Sequence, residues 1–326
     1  MTNPKLPRRK FLHLAAGAAA LPMLSRVAHA LDYPTRPVRL IVGFPSGSGP
    51  DVVARLLGQK LSEHIGQSFI VENRPGAGSN IATEAVVRAP ADGYTLLFTA
   101  SSNAINATLY SNLTFDFMRD IAPIASVVST PFVMASSVAV PAKTVPEFIA
   151  YARANPGKIN YASPGNGTAP HLCGELFKMM TGVEIVHVPY RANYMPDLLG
   201  GQVQIAFSTA TQLVEYVSVG KLRALGVTSA TRIEALPDVP AIGESVHGYE
   251  GIGWFGLGAP KDTRPEIVEK LNREVNAAVA NPDTRGRLVA LGVPPMSMTP
   301  AQFGKFIVEE TQKWAKVIKF ANIKPA

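Results

Sequence analysis

One cysteine, Cys173, is all the thiol this 326-residue chain carries, so no disulfide closes within it and the fold must rest on its apolar core. Cys173 lies in the helical pattern His171-Leu172-Cys173-Gly174-Glu175-Leu176-Phe177 and reads as a small buried hydrophobe rather than a nucleophile. No apolar run reaches the roughly 20 residues that span a bilayer; Leu14 to Leu24 is shorter and is interrupted by Pro22. The phosphate motifs are missing too. Gly47-Ser48-Gly49-Pro50-Asp51-Val52 lacks the last glycine of G-x-G-x-x-G, and G-x-x-x-x-G-K-[ST] does not occur. Gly43-Phe44-Pro45-Ser46-Gly47 is not the G-x-S-x-G of a nucleophile elbow, which argues against an enzyme. No H-x-x-x-H or paired-cysteine spacing points to a metal, and no cofactor is expected. His171 and His187 read as packed or capping histidines.

What is present begins with an export signal. Arg8-Arg9-Lys10-Phe11-Leu12, the apolar run and Ala28-His29-Ala30 form a basic segment, an apolar segment and an A-x-A cleavage site. Paired arginines ahead of Phe-Leu match the twin-arginine type of signal peptide, here residues 1–30, and place the mature chain in the periplasm. That segment holds Lys5, Arg8, Arg9, Lys10 and Arg26 and no acid, so its removal lowers the formal charge from +7 to +2. The basic patch that nucleic-acid binding needs does not survive. An exported hydrolase, its triad assembled from distant segments, is the alternative function.

The mature chain exceeds what one compact core organises, and two domains are expected. Val38-Arg39-Leu40-Ile41-Val42 is a strand pattern, and it stops at a Gly-rich turn. Beyond the turn Val53, Leu56, Leu57 and Leu61 recur at helical spacing behind Asp51, a candidate N-cap. Strand, turn and helix repeat through Ser68–Thr99, and the same order returns at Ile159–Ala162, Ser163–Pro170 and His171–Thr181. This alternation predicts an α/β fold of two lobes, each a mainly parallel sheet flanked by helices. Lobe one is expected over 31–131 and 254–326 and lobe two over 132–253, with a cleft at the two crossings.

The two Gly-rich turns are the candidate site. Each follows a strand and precedes a helix, so its N–H groups and the positive helix end face whatever lies above the sheet. Gly47, Gly49, Gly165 and Gly167 let the main chain approach a ligand, and Ser46, Ser48, Ser163 and Thr168 add neutral hydroxyls. Facing cradles for an anion follow, if the turns are more than tight strand-to-helix connections.

Six ordered blocks then resemble one family. They are Tyr33-Pro34-Thr35-Arg36-Pro37-Val38-Arg39-Leu40-Ile41-Val42, Phe44-Pro45 running into Asp51-Val52-Val53-Ala54-Arg55, and Val71-Glu72-Asn73-Arg74-Pro75-Gly76-Ala77-Gly78. Asp92-Gly93-Tyr94-Thr95-Leu96-Leu97, Val188-Pro189-Tyr190-Arg191 and Asp197-Leu198-Leu199-Gly200-Gly201-Gln202-Val203 complete the set. Over essentially the whole mature chain they are similar to the Bug-type extracytoplasmic solute receptors of tripartite tricarboxylate transporters.

The resemblance implies a type II periplasmic-binding-protein fold that closes on a small carboxylate, a di- or tricarboxylate or an aromatic one. It implies a monomer that serves a membrane permease of a tripartite transporter or a sensor protein, with no nucleic acid involved. One carboxylate would be held by amides, hydroxyls and ordered water from Phe44–Gly49 (Phe44, Pro45, Ser46, Gly47, Ser48 and Gly49) and from Ser163–His171 (Ser163, Gly165, Asn166, Gly167, Thr168 and His171). Asp51 would cap a helix and organise its loop, and the loop Thr99–Asn103, with Ser101 and Ser102, would lie beside the cleft. Arg191 would either fork onto a second carboxylate or form a surface ion pair. Three departures fall where the family sets ligand choice: Ala192 for a glycine, a stretch Asn193–Pro196 about two residues short with an atypical Tyr194, and Ser208 for an aspartate. Without that aspartate a ligand ammonium is disfavoured, and an unsubstituted or aromatic carboxylate is expected over an amino acid.

Overall fold

The computed structural model describes residues 32–190 and 193–325. The signal peptide therefore lies outside the described residues, as does Arg191.

Strand β1 (Val38–Val42) is buried at every position but Arg39, which is why it reads as a continuous apolar run rather than an alternating one. It pairs in parallel with β2 (Phe69–Asn73) and β3 (Thr95–Ala100). Helices α1 (Gly49–Ile65) and α2 (Asn80–Val87) make the crossovers. α1 buries Val53, Leu56, Leu57 and Leu61 and stops where Gly66 turns left-handed at φ +79°. α3 (Ser101–Leu109) and α4 (Phe117–Asp120) follow, then β4 (Ile121–Ser137).

β4 is 17 residues long and changes partners along its length. Residues 121–131 pair antiparallel with β9 (Ile252–Pro260), whereas 132–137 pair antiparallel with β7 (Ile205–Thr209) and β8 (Leu222–Val227). β5 (Ile159–Ser163) is parallel to β6 (Ile185–Pro189) and to β7. Helices α5 (Val145–Ala154), α6 (Ala169–Thr181), α7 (Met195–Gly200) and α8 (Ala210–Ser218) pack on that second half, and α9 (Pro265–Ala280), α10 (Pro282–Ala290) and α11 (Pro300–Ala321) close the chain. The order is β2-β1-β3-β9-β4-β7-β5-β6, with β8 on β4. The sheet is thus mixed: its βαβ pieces are parallel, β9 runs against β3, and β4 runs against both β9 and β7.

Two corrections to the sequence expectations stand out, and the last helix adds a long-range contact. Ser101–Asn103 is not a loop but the first turn of α3. α1 begins at Gly49 with Ser48 at its N-cap, so Asp51 lies in the first turn and is not the cap. Trp314, Val317 and Ile318 of α11 share a core with Leu172, Leu176 and Phe177 of α6 and with Ile105 and Leu109 of α3, so the last helix packs on residues of both halves.

Candidate functional site

The first loop is built around a buried carboxylate. Asp51 Oδ2 accepts from the Gly47 N–H at 2.8 Å and from Arg55 Nε at 2.9 Å, while Oδ1 accepts from Asn73 Nδ2 at 2.7 Å. Asn73 Nδ2 also reaches the Phe44 carbonyl at 3.1 Å, and Arg55 Nη2 donates to Asn73 Oδ1 at 2.9 Å. Burial pushes the Asp51 pKa up, but the bonds from Arg55, Gly47 and Asn73 outweigh it and hold the group down at about 2. Asp51 is therefore an ionised brace behind the loop. Beneath it, a Cβ on Gly43 would meet Ser79 Oγ at 1.9 Å, which leaves glycine as the residue that lets β1 and the Gly76–Ser79 turn meet.

Ser48 stands at the N-cap of α1 but does not cap it: its hydroxyl donates to the Pro45 carbonyl at 2.6 Å. The first amides of α1 are left without a side-chain acceptor.

The second loop repeats this arrangement with neutral parts. Thr168 is the N-cap of α6, and its hydroxyl likewise turns back, donating to the Gly165 carbonyl at 2.8 Å. The braces are Ser163, whose Oγ accepts the Gly165 N–H at 3.1 Å, and His171, whose Nδ1 accepts the Gly167 N–H at 3.0 Å. His187 Nε2 lies 2.6 Å from Ser163 Oγ, and its ring stacks on His171 at 3.7 Å. Burial holds both imidazoles down, His171 at about 4 and His187 at about 3. Gly167 takes φ +73°, and a Cβ there would meet Leu109 Cδ2 of α3 at 2.6 Å, so the two halves touch at this point.

A third helix end joins them. α3 starts after Ala100, whose methyl offers no acceptor, although Asn103 Oδ1 accepts the Ala100 N–H at 2.8 Å. Ser102 Oγ is buried and has no partner among the described residues. One cavity of about 350 Å³ is lined by Phe44 and Pro50 of the first loop, Ser101 and Ser102 of α3, and Asn166, Gly167 and Thr168 of the second loop, with Ile105, Leu109 and Phe255 supplying apolar wall. Two helix starts, α3 through Ser101 and Ser102 and α6 through Ala169, thus border the cavity with backbone donors, while α1 borders it through Pro50, which has no N–H; lined from both halves, the cavity suits an anionic head group on a partly apolar body.

Of the residues expected from sequence, Phe44, Ser101, Ser102, Asn166, Gly167 and Thr168 line that cavity together. Pro45, Ser46, Gly47, Ser48 and Gly49 belong to the adjoining loop but are not among its lining residues; Asp51, Ser163 and His171 are buried behind the loops. Tyr194 borders a different cavity of about 470 Å³ with Pro164, Asn193, Met195, Gln212 and Tyr216. There the Tyr194 hydroxyl donates to Ser208 Oγ at 2.7 Å and Ser208 donates to Gln212 Oε1, an uncharged chain. Sequence reasoning missed Pro50, Ile105, Leu109 and Phe255; the i, i+4 pair Ile105 and Leu109 was the available signal.

The Ser163–His187 bond resembles half of a hydrolase triad, but Ser163 is 0% exposed and its hydroxyl is engaged with its own loop. No carbonyl substrate reaches that oxygen in this conformation. Among the described residues no three His, Cys, Asp or Glu side chains are grouped as metal ligands, and no helix is long and apolar enough to cross a membrane.

Two halves joined by crossing strands, with a cavity between strand-to-helix loops, define a solute-binding protein of the type II periplasmic fold. The family model described as tripartite tricarboxylate transporter family receptor matches residues 53–323, and the chain belongs to that family. It is 35% identical to Protein BugT of Bordetella pertussis (strain Tohama I) over 297 residues, 90% of this chain and 91% of the relative. Among solved structures it is similar to R. palustris Rpa4515 with adipate, at 36% identity and a TM-score of 0.76, covering 90% of this chain and all of that one. It is also similar to MatC (Rpa3494) from Rhodopseudomonas palustris with bound malate, at 28% identity and a TM-score of 0.71, covering 88% of this chain and 100% of that one. The family is one of transporter receptors, and two of these neighbours hold a dicarboxylate.

Proposed function

We propose that this chain is a periplasmic receptor for a small dicarboxylate lacking an ammonium group, which it delivers to the membrane permease of a tripartite transporter. The observation that carries the reading is the convergence of three helix starts, all without side-chain caps, on one cavity lined from both halves. Uncapped amides favour an anion there, and the unpartnered Ser102 hydroxyl offers a further donor. The adipate and malate found in two relatives support the ligand class.

Lobe one, 31–131 with 254–326, and lobe two, 132–253, rotate about the point where β4 changes partners. Closure is driven by the difference in ligand affinity between shut and open forms. One carboxylate sits against the Phe44–Gly49 and Ser163–Thr168 loops, and Arg191 and the Tyr194 cavity receive the far end. The chain of Tyr194, Ser208 and Gln212 is uncharged, so nothing in it repays the desolvation of an ammonium. The protein works as a monomer in binding and does no chemistry on its ligand.

Calorimetry of the purified chain against adipate, malate, aspartate and glutamate tests this reading. Adipate or malate is expected to bind tighter than either amino acid. Tighter binding of aspartate or glutamate removes the ligand assignment, and absence of binding by all four removes the carboxylate reading.

A further inference from the structure

Beneath the second loop two imidazoles stack, centroids 3.7 Å apart and planes 10° from parallel. They come from different elements, His171 from the first turn of α6 and His187 from β6, and each is hydrogen-bonded to the loop. The Gly167 N–H at 3.0 Å requires a bare Nδ1 on His171, which puts the ring proton on Nε2, 3.9 Å from Glu175 Oε1. Ser163 Oγ, 2.6 Å from His187 Nε2, in turn accepts the Gly165 N–H.

We propose that this stacked pair is a proton-operated latch: neutral imidazoles hold Ser163–Thr168 in its ligand-facing shape, and a proton added at His171 Nδ1 turns the acceptor of the Gly167 N–H into a second donor and frees the loop. The other groups facing the pair do not relieve this conflict. Tyr161 of β5, whose ring lies 4.9 Å from His187 and 6.3 Å from His171, donates its hydroxyl to Glu175. Lys178 also binds Glu175, at 2.8 Å, so that carboxylate is already shared by two donors. Cys173 and Tyr249 lie beyond Tyr161, and burial holds both protonated and neutral.

Burial first, and then the Lys178 ammonium, keep His171 at about 4, whereas burial and then His171 itself keep His187 at about 3. The stacked rings titrate as one coupled pair, in which the first proton resists the second. Between the ordinary imidazole value and about 4 the open loop binds protons that the latched loop does not, so acid favours opening. The latch regulates the carboxylate site proposed above and rests on that reading for its purpose, but it can be measured on the ligand-free chain, so the two can fail separately.

Amide 1H–15N and histidine-ring 15N spectra of the ligand-free chain, recorded from pH 7 downward, provide the test. The Gly165 and Gly167 amides should shift in one step, with the midpoint of the His171 ring, while the indole signals of Trp254 and Trp314 stay in place. In His171→Asn, whose Oδ1 supplies an acceptor without a titratable ring, the neutral-pH loop pattern should persist and the Gly167 step vanish. A Gly167 amide that stays put while the ring titrates overturns the proposal. So does a step retained in His171→Asn, or global unfolding before the ring takes up a proton.

Discussion

The two loops share a plan and differ in what braces them. Phe44–Gly49 is held by an ionised carboxylate, Asp51, locked by Arg55 and Asn73; Ser163–Thr168 is held by a serine and two uncharged imidazoles. In both, the N-cap hydroxyl bonds within its own loop and leaves helix amides open. A ligand meets similar donors on the two sides, yet acid acts on them differently. Asp51 stabilises above its ordinary carboxylate value of 3.8 and loses that contribution only as the pH falls through about 2. His171 must be neutral, so its contribution is complete above 6.5 and is lost as the pH falls toward about 4. The second loop is the one that acid loosens first.

The largest break in this symmetry is expected from the glycines. Gly167→Ala forces a left-handed backbone and a contact with Leu109, and should weaken adipate binding by roughly 100-fold, about 2.7 kcal/mol. Gly47→Ala meets open space at φ +80° and should cost about tenfold or less by the same calorimetry. Comparable in size to the Gly167 change, Asp51→Ala strands the Gly47 N–H and the Asn73 amide and should lower stability by about 2–3 kcal/mol, read from the urea midpoint. Its counterpart His171→Phe should lose less stability at pH 7, because it strands one loop donor, the Gly167 N–H, where Asp51→Ala strands two.

Thermal melts sharpen the comparison further. The wild-type Tm should fall between pH 6.5 and pH 4, with a shallower slope in His171→Asn, and Asp51→Asn should leave that part of the profile unchanged. At the second cavity, Ser208→Asp should move the ratio of aspartate to adipate affinity by about tenfold in favour of aspartate.

Much of this was legible in the residues. The order of strands and helices followed from β-branched runs broken by Gly-Pro turns, because buried parallel strands and amphipathic helices leave unmistakable periods. α3 was not legible, since Ser101-Ser102-Asn103 carries the composition of a turn; the same residue types suit a helix first turn, and here Asn103 Oδ1 accepts the Ala100 N–H. The splitting of β4 between two sets of partners, and the packing of Trp314 against Phe177, are long-range pairings that local composition does not encode. At the site, the glycines and hydroxyls announced the loops. Of the braces, Asp51 was expected to organise its loop, whereas the His171 and His187 pair stayed hidden, because these residues, 16 apart, meet only after β5, β6 and α6 are assembled.

Backbone hydrogen exchange, measured with and without adipate, puts the main assertion at risk most directly. Slower exchange is predicted at the amides of Gly47–Gly49, Ser101–Ser102 and Gly165–Thr168 together. Protection limited to one loop, or found only around Tyr194 and Gln212, would contradict the view that helix starts from both halves grip the same acid group.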